Sequence, residues 1–352
     1  MGRLTNLIGI IKDKVSQSRV AMVSNPRTLS LHLAVLRATT HDPSSPPNKK
    51  HLTSLLDFGH SSRATASAVI ETLMDRLQTT RDASVAIKCL ITVHHIIKHG
   101  SFILQDQLSV YPSTGGRNYL KLSNFRDNST PLTWELSSWV RWYALYLEHV
   151  LSTSRILGFF LGSISDKDIN NEEKVSSLMN NDLLREIDSS VGLLEEMCKR
   201  PDFLHMHGNK LVEEVMGLVE EDYLSAINEV SIRLSEFRER LSSLSLGDSV
   251  ELVCAMKRLE ICKERLEVLS NRKRVMIETF WGMVNQLKDV VGKENKYREE
   301  RSVTVRRDKV SESARFGDRV MKYGGHSVRF SSGRFELNKF PVLVLDSVQS
   351  CA

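Results

Sequence analysis

Apolar residues recur at the spacing of α-helices along most of the chain, whereas the alternation typical of β-strands is scarce. The first apolar stripe lies within residues 4–22 and consists of Leu4, Leu7, Ile8, Ile11 and Val15. Basic residues occupy other faces of this segment, so the pattern predicts an amphipathic first helix. A second helix over 27–38 and a short one from Lys50 to Asp57 are predicted on either side of a Pro- and Ser-rich loop at 42–48.

The middle of the chain carries the most apolar helical pattern. Residues 82–99 are apolar on nearly every side, and their one polar stripe consists of Lys88, Thr92, His95 and His99. A helix of this kind is expected to lie sandwiched between neighbouring helices in a stack. Residues 133–160 predict a further helix rich in tryptophan and tyrosine, and Thr130 followed by Pro131 is a favourable start for it.

Beyond about residue 162 the pattern changes to long amphipathic helices over 178–198, 209–244 and 249–292. Asp248 and Glu251 have the spacing of a capping box at the start of the last of these helices. After residue 293 the chain becomes charged and then rich in glycine and serine. We therefore predict an all-α protein with a helical domain over 1–292 and a short, mostly disordered basic tail over 293–352.

Charge is distributed unevenly along the chain. The formal net charge is +5, but residues 1–100 contain 13 basic and 6 acidic residues, and residues 271–352 contain 17 basic and 10 acidic ones. The intervening residues 101–270 contain 18 basic and 27 acidic residues. Two basic ends flank an acidic middle, which favours a polyanionic partner, such as a membrane surface or a nucleic acid, at the ends.

The sequence gives little support for a metal site or a catalytic centre. The five cysteines are widely spaced without a CxxC pair, which is typical of reduced cytosolic thiols in a core rather than of disulfides or a zinc site. His94, His95 and His99 include the i, i+4 spacing of zinc ligands, but no HExxH motif accompanies them, so no metal is predicted. The chain lacks GxSxG, P-loop and Rossmann glycine patterns, and we expect neither a cofactor nor an enzyme.

Cationic and imidazole side chains cluster around the first loop. Arg37 and His41 precede its last prolines, and Lys49, Lys50 and His51 follow them. The loop is expected to bring the end of one helix close to the start of the next, where free backbone N–H groups near Lys50 would add to an anion site. Several donors from different directions suit a multiply phosphorylated headgroup. The alternative for Lys49 and Lys50 is a solvated helix start.

In this region the chain resembles the ANTH domain of clathrin assembly proteins, in its plant-type branch. The family signature runs Lys-Ala-Thr, a spacer and Pro-Lys-x-Lys-His, and this chain has Arg37-Ala38-Thr39 and Pro47-Asn48-Lys49-Lys50-His51. Further matches lie at 86–100, 122–127 and 139–147, and the resemblance covers about residues 1–290. Asn48 stands where the family usually has lysine and the loop is one residue longer, so one charged phosphate contact is expected to be lost.

The resemblance implies a right-handed α-helical solenoid that binds phosphatidylinositol 4,5-bisphosphate near its N-terminus. It assigns phosphate contacts to Arg37, Lys50 and His51, with His41 and Lys49 nearby. It also implies an endocytic adaptor with clathrin heavy chain and vesicle SNAREs as partners. Such an adaptor is cytoplasmic and peripheral on membranes, at clathrin-coated pits and vesicles and at the Golgi apparatus.

Two helices leave more than one interpretation open. The helix over 4–22 is expected either to lie in the membrane interface, with Leu4, Leu7, Ile8 and Ile11 inserted, or to pack on the domain as its first helix. In a later helix, one apolar stripe lines either a groove for a SNARE helix or the core. This stripe consists of Leu211, Val215, Leu218, Tyr223 and Ile227.

The sequence of the predicted tail does not decide whether the protein binds clathrin. It contains no Asn-Pro-Phe, Asp-Pro-Phe or Asp-Leu-Leu motif, and Val342–Asp346 is a degenerate clathrin box. Asp182-Leu183-Leu184 matches a clathrin-type tripeptide but falls within a predicted helix. The expected function is an adaptor that promotes clathrin coat assembly, and the alternative is a lipid- and SNARE-binding sorting module without direct clathrin binding. A third class, a helical nucleic-acid binder, predicts binding that is indifferent to lipid and steep in salt, and we expect no nucleic-acid partner.

Overall fold

The computed structural model describes residues 2–111, 119–162, 171–202, 208–270 and 272–293, without the side chains of residues 2–6, 23, 26, 27 and 171. Every regular element in these residues is helical, which confirms the all-α solenoid for the described chain. The helices are α1 (Gly2–Val23), α2 (Pro26–Ala38), α3 (Lys49–Asp57), α4 (Arg63–Thr79), α5 (Ala83–His99), α6 (Phe102–Val110), α7 (Pro131–Leu157), α8 (Asn171–Ser176), α9 (Asn180–Cys198), α10 (Lys210–Glu239), α11 (Leu246–Glu267) and α12 (274–293). The predicted tail lies outside the described residues except for residue 293, so the domain boundary there stays a prediction.

A single hydrophobic core runs through the helical layers, from Leu31 of α2 to Val291 of α12. In the C-terminal half, α9 packs against α7, α10 and α11, so it links the aromatic helix α7 to the long helices that follow. Within the described ranges, no helix is long and apolar enough to span a bilayer.

Helix starts are fixed by side chains that accept backbone N–H groups. Ser62, Asp82 and Asn209 cap α4, α5 and α10 in this way. The aromatic helix α7 begins after Thr130 as predicted, with a proline in its first turn and a capping box between Thr130 and Thr133. Local sequence signals thus set these boundaries.

The predicted start of the last long helix is wrong by one turn. α11 begins at Leu246 because Ser245 is the N-cap, and Ser245 Oγ accepts the N–H of Asp248 at 3.0 Å. Asp248 completes the capping box by accepting the N–H of Ser245 at 3.3 Å. Asp248 is therefore the third helical residue, and Glu251 has no part in the cap.

The continuous helix predicted over 249–292 is also interrupted between α11 and α12. Ser270 Oγ accepts the N–H of Arg272 at 3.0 Å and donates to Glu220 of α10 at 2.7 Å. Lys273, which directly precedes α12, has a φ of 50°, a value outside the helical range. Because apolar residues continue at helical spacing on both sides, the periodicity of the sequence does not reveal this break.

α5 is the central helix of the N-terminal half. It packs against α4, α7 and α10, and all of its residues except His95 and His99 are buried, which confirms the sandwiched helix. The predicted polar stripe is only partly exposed, since Lys88 and Thr92 lie wholly inside. Both buried residues hydrogen-bond within the protein rather than with solvent.

A buried ionic cluster joins α5, α7 and α10. Asp222 of α10 accepts hydrogen bonds from Lys98 Nζ at 2.9 Å and from the Tyr146 hydroxyl at 2.6 Å, and His94 Nε2 lies 2.8 Å from it. His94 Nδ1 is 2.7 Å from the hydroxyl of Tyr143. His94 is thus committed to internal partners, and nowhere in the described chain do three His, Cys, Asp or Glu side chains converge as a metal site would need.

Candidate functional site

Two helix ends and the loop between them carry the predicted headgroup residues. Arg37 lies in the last turn of α2, Lys49 and Lys50 open α3, and all three are exposed. His51 follows in the same turn of α3 and is half-buried. Because α2 packs against α3, the 39–48 loop closes one end of this helix pair. The site therefore presents guanidinium and ammonium groups to solvent, which are the donors that bind phosphate.

Two cations that the sequence analysis missed hold this loop in place. Arg76 of α4 donates from Nε to Thr39 Oγ1 at 2.5 Å and from Nη2 to the Thr39 carbonyl at 2.6 Å. Lys88 of α5 donates from Nζ to Thr40 Oγ1 at 2.9 Å. These charge-assisted hydrogen bonds fix the loop backbone from the side of the core. The only sequence signal for them is a lysine within an otherwise apolar helix.

Lys88 also contributes charge beneath the loop. Burial lowers the pKa of Lys88 to about 8, although the carboxylates of Asp42, Asp13 and Asp82 oppose this shift. Asp42 is itself part of the loop, where it accepts the N–H of Ser44 at 2.9 Å. The positive potential that Lys88 adds to the site is therefore present at neutral pH and decreases as the pH rises through about 8.

Asn48, which stands at a position where a lysine was expected from the resemblance, is the N-cap of α3. Its Oδ1 accepts the N–H of Lys50 at 2.9 Å, and its carbonyl accepts the N–H of His51 at 2.9 Å. The sequence analysis expected free backbone N–H groups near Lys50, but the N–H groups of Lys50 and His51 already have Asn48 as their acceptor. Side chains are therefore the main candidate donors of this site.

Replacing Asn48 with alanine is expected to lower the free energy of unfolding by about 1 kcal/mol, because the N–H of Lys50 loses its acceptor. Urea unfolding followed by circular dichroism measures the change. Asn48→Asp is the matched control, since aspartate caps equally well and should retain the stability of the natural protein. Equal losses in both variants would contradict the capping role.

His41 is engaged with α1. Its backbone N–H lies 3.1 and 3.2 Å from the two carboxylate oxygens of Asp13, and its Nδ1 lies 2.6 Å from Oδ1. Gly9 allows this approach, since a Cβ at that position would lie 3.1 Å from the carbonyl oxygen of His41. The loop therefore docks α1 through His41, which leaves Nε2 as the ring nitrogen that can face a ligand.

The other side of α1 exposes apolar residues. Their exposed fractions lie between 51 and 61%, and they are Leu7, Ile8, Ile10, Ile11 and Val15. The side chain of Leu4, which belongs to the same predicted set, lies outside the described residues. Both interpretations of this helix thus find support, since one face packs on the domain through Gly9 and Asp13 and another is apolar and open.

Of the two interpretations of the α10 stripe, a SNARE groove or the core, the structure supports the core. Its five residues are at most 6% exposed, namely Leu211, Val215, Leu218, Tyr223 and Ile227. The reason is that α10 packs against α5 and α9, so the apolar stripe faces other helices. Leu183 and Leu184 of the clathrin-type tripeptide are buried in the same way. The degenerate clathrin box at Val342–Asp346 lies outside the described residues.

Comparison with known proteins finds similarity along most of the chain. Residues 30–269 match the profile of the ANTH domain. An Arabidopsis thaliana protein named "putative clathrin assembly protein" is 58% identical over 349 residues, which cover 95% of this chain and 96% of that protein. Two further Arabidopsis thaliana proteins with this designation are each 35% identical. Their alignments cover 84% and 82% of this chain and 88% and 100% of the respective relatives.

Proposed function

Because the chain belongs to the ANTH domain family, we propose that it is a peripheral membrane adaptor that binds phosphatidylinositol 4,5-bisphosphate and promotes the assembly of clathrin coats. One observation carries the proposal. Arg37, Lys49 and Lys50 are exposed at two helix ends, around a loop that Arg76 and Lys88 hold in place. This arrangement offers binding without reactive groups, and we propose no enzymatic activity.

The chemistry of the site supports a headgroup with more than one phosphate. Guanidinium groups bind phosphate oxygens in pairs, whereas ammonium groups act as point charges, so Arg37 and the two lysines recognise phosphates in different ways. His51 and the Nε2 of His41 add imidazole donors at the same loop. Since the cap at Asn48 occupies one backbone donor, headgroup recognition rests on these five side chains.

α1 supports a second contact with the same membrane. We assign to Leu7, Ile8 and Ile11, together with Leu4, the insertion of apolar side chains at the headgroup boundary. His41 ties α1 to the headgroup loop, so the apolar residues and the headgroup residues lie on elements that contact each other. A bisphosphate-bearing cytoplasmic leaflet attracts such a surface through its negative potential.

The clathrin part of the proposal rests on the names of the relatives, all of which refer to clathrin assembly. It places the protein on the cytoplasmic side of coated pits and coated vesicles, with clathrin heavy chain as partner. The alternative is a lipid-binding sorting module without direct clathrin contact. The lack of Asn-Pro-Phe, Asp-Pro-Phe and Asp-Leu-Leu motifs after residue 293 favours it. We assign no SNARE contact to the five α10 positions, because they are buried.

Replacing both Lys49 and Lys50 with alanine is expected to weaken binding to bisphosphate vesicles about tenfold or more. Each replacement removes a charge-assisted contact with a phosphate. A loss of about 1.4 kcal/mol in binding free energy corresponds to a tenfold higher dissociation constant. Vesicle co-sedimentation of the full chain measures the apparent dissociation constant.

Lys257→Ala is a suitable control, because Lys257 is an exposed lysine of α11 outside the site. The control should retain most of the affinity, since one exposed charge adds only a general attraction. If the double variant bound bisphosphate vesicles as tightly as the control, the headgroup site would have to lie elsewhere.

A further inference from the structure

Helices α9 and α11 pack side by side in a fixed register. Arg258 of α11 donates from Nε and Nη2 to the Glu195 carboxylate of α9, at 2.8 and 2.6 Å. About two turns further on, Arg265 Nη2 lies 3.9 Å from Asp202, just past the end of α9. Residue numbers rise together on both helices, so the two helices run in the same direction.

Two cysteines face each other between these ion pairs. Cys198 is the last residue of α9, and its Sγ lies 3.7 Å from the carbonyl oxygen of Cys262 on α11. Both are free and buried, although 6% and 8% of each residue remain exposed. The packing of the two helices therefore places the Cys198 side chain in contact with Cys262.

The surroundings give the two thiols different acidities. The neighbouring Cys198 thiol lowers the pKa of Cys262, against the effect of burial, and Arg258 and Lys199 lower it further. The neighbouring Cys262 thiol, together with burial, raises the pKa of Cys198. Cys262 is therefore the thiol that first becomes a nucleophilic thiolate, and Cys198 stands beside it as a resolving thiol.

We propose that Cys198 and Cys262 form a reversible disulfide that hydrogen peroxide generates and a dithiol reductant removes. In the first step the Cys262 thiolate attacks the peroxide O–O bond, which yields a sulfenic acid and, after protonation, one water. In the second step the Cys198 sulfur attacks the Cys262 sulfur, the S–S bond forms, and the hydroxyl leaves as water with the Cys198 proton. Two thiols thus lose two electrons and two protons, and the peroxide becomes two waters.

The other described cysteines lack this combination of features. Burial raises the pKa of Cys89 to about 12, so this thiol stays protonated and inert. Cys254 is exposed on α11 but lies eight residues, or about 12 Å of helix, from Cys262. A disulfide requires Cα atoms within about 7 Å, so Cys254 cannot replace Cys198 as the partner of Cys262.

The disulfide would tie together two helices that are 64 residues apart at these positions. A cross-link that closes a loop of this length restricts the unfolded chain and stabilises the folded one. We expect the midpoint of thermal unfolding to rise by about 5 °C on oxidation and to return on reduction. The oxidant would thereby stiffen the layer formed by α9 and α11.

The test is peptide mapping of the full chain after treatment with hydrogen peroxide. Trypsin releases Cys198 within residues 186–199 and Cys262 within residues 259–263, so a disulfide joins two peptides of known mass. We expect this linked pair as the main disulfide product, and we expect dithiothreitol to release it. Cys254→Ser should leave the product unchanged, because the exposed thiol takes no part.

Either of two results would overturn the proposal. One is recovery of Cys198 and Cys262 as thiols, or as separate oxidised acids, under conditions that oxidise Cys254. The other is an unchanged thermal midpoint in a sample whose linked peptides show complete oxidation. Cys262→Ala provides a further check, since it should abolish the linked pair, and the mapping of the natural protein decides the question even if this variant folds poorly.

Discussion

Replacing Asp222 with alanine is expected to lower the free energy of unfolding by about 3–5 kcal/mol, because it leaves a buried lysine without its main partner. Asp222 and Lys98 are 1% and 3% exposed, and the carboxylate also accepts the Tyr146 hydroxyl and faces His94. Lys98 would keep Glu221 at 3.0 Å, but that carboxylate is more than half exposed and compensates only in part. Chemical unfolding measures the loss.

The same carboxylate predicts a loss of stability in acid. Burial alone would raise the pKa of Asp222, but His94, Lys98 and the Tyr146 hydroxyl outweigh it and lower the pKa to about 2. A lowered folded-state pKa stabilises the protein fully above the ordinary value near 3.8, and this contribution disappears as the pH falls toward 2. For a pKa shift of this size, the contribution to the free energy of unfolding is roughly 2 kcal/mol.

Asp57→Ala is the control for both effects, because Asp57 is an exposed carboxylate at the end of α3. Its replacement should change the free energy of unfolding by less than about 0.5 kcal/mol. Between pH 4 and pH 2, the free energy of unfolding of the Asp222 variant should also change less than that of the natural protein. A loss below 1 kcal/mol for Asp222→Ala would show that the cluster does not need its carboxylate.

Replacing Arg233 with alanine is expected to cost a similar amount, about 3–5 kcal/mol, because it removes the guanidinium that pairs with two buried carboxylates. Arg233 of α10 is almost fully buried, and its guanidinium lies 2.7 Å from Glu186 of α9 and 2.9 Å from Glu229 of its own helix. The side chain therefore joins α9 to α10 at a point that water does not reach.

Two further variants separate charge from packing at this position. Arg258→Ala removes an arginine that pairs across α9 and α11 but is 37% exposed, so it should cost about 1 kcal/mol or less. Replacing Arg233, Glu186 and Glu229 together with leucine removes the charges without emptying the site, and should recover most of the stability. If this triple variant were as unstable as Arg233→Ala, unpaired charge would not be the cause.

The sequence predicts the helices well because local signals define them. The stripe of α1, the apolar α5 and the start of α7 at Thr130 each depend on residues within a few positions. The break between α11 and α12 is different, because Ser270 meets Glu220 from 50 residues away. Local periodicity carries no information about such a contact.

The candidate site likewise has residues that the sequence identifies and contacts that it does not. Arg37, Lys49 and Lys50 stand beside a recognisable loop, so the sequence alone finds them. The contacts that shape that loop come from residues 28 to 48 positions away, such as Asp13 at His41 and Lys88 at Thr40. The α10 stripe shows another limit of prediction from sequence, because the pattern of an apolar stripe is the same whether it lines a groove or a core.

The most direct test of the proposed function is vesicle co-sedimentation of the full chain. Vesicles with phosphatidylinositol 4,5-bisphosphate are compared with vesicles that carry the same total charge as phosphatidylserine. A structured headgroup site at Arg37, Lys49 and Lys50 predicts clearly tighter binding to the bisphosphate vesicles. Equal binding to both would reduce the loop to a general basic surface, and binding to neither would contradict the membrane adaptor itself.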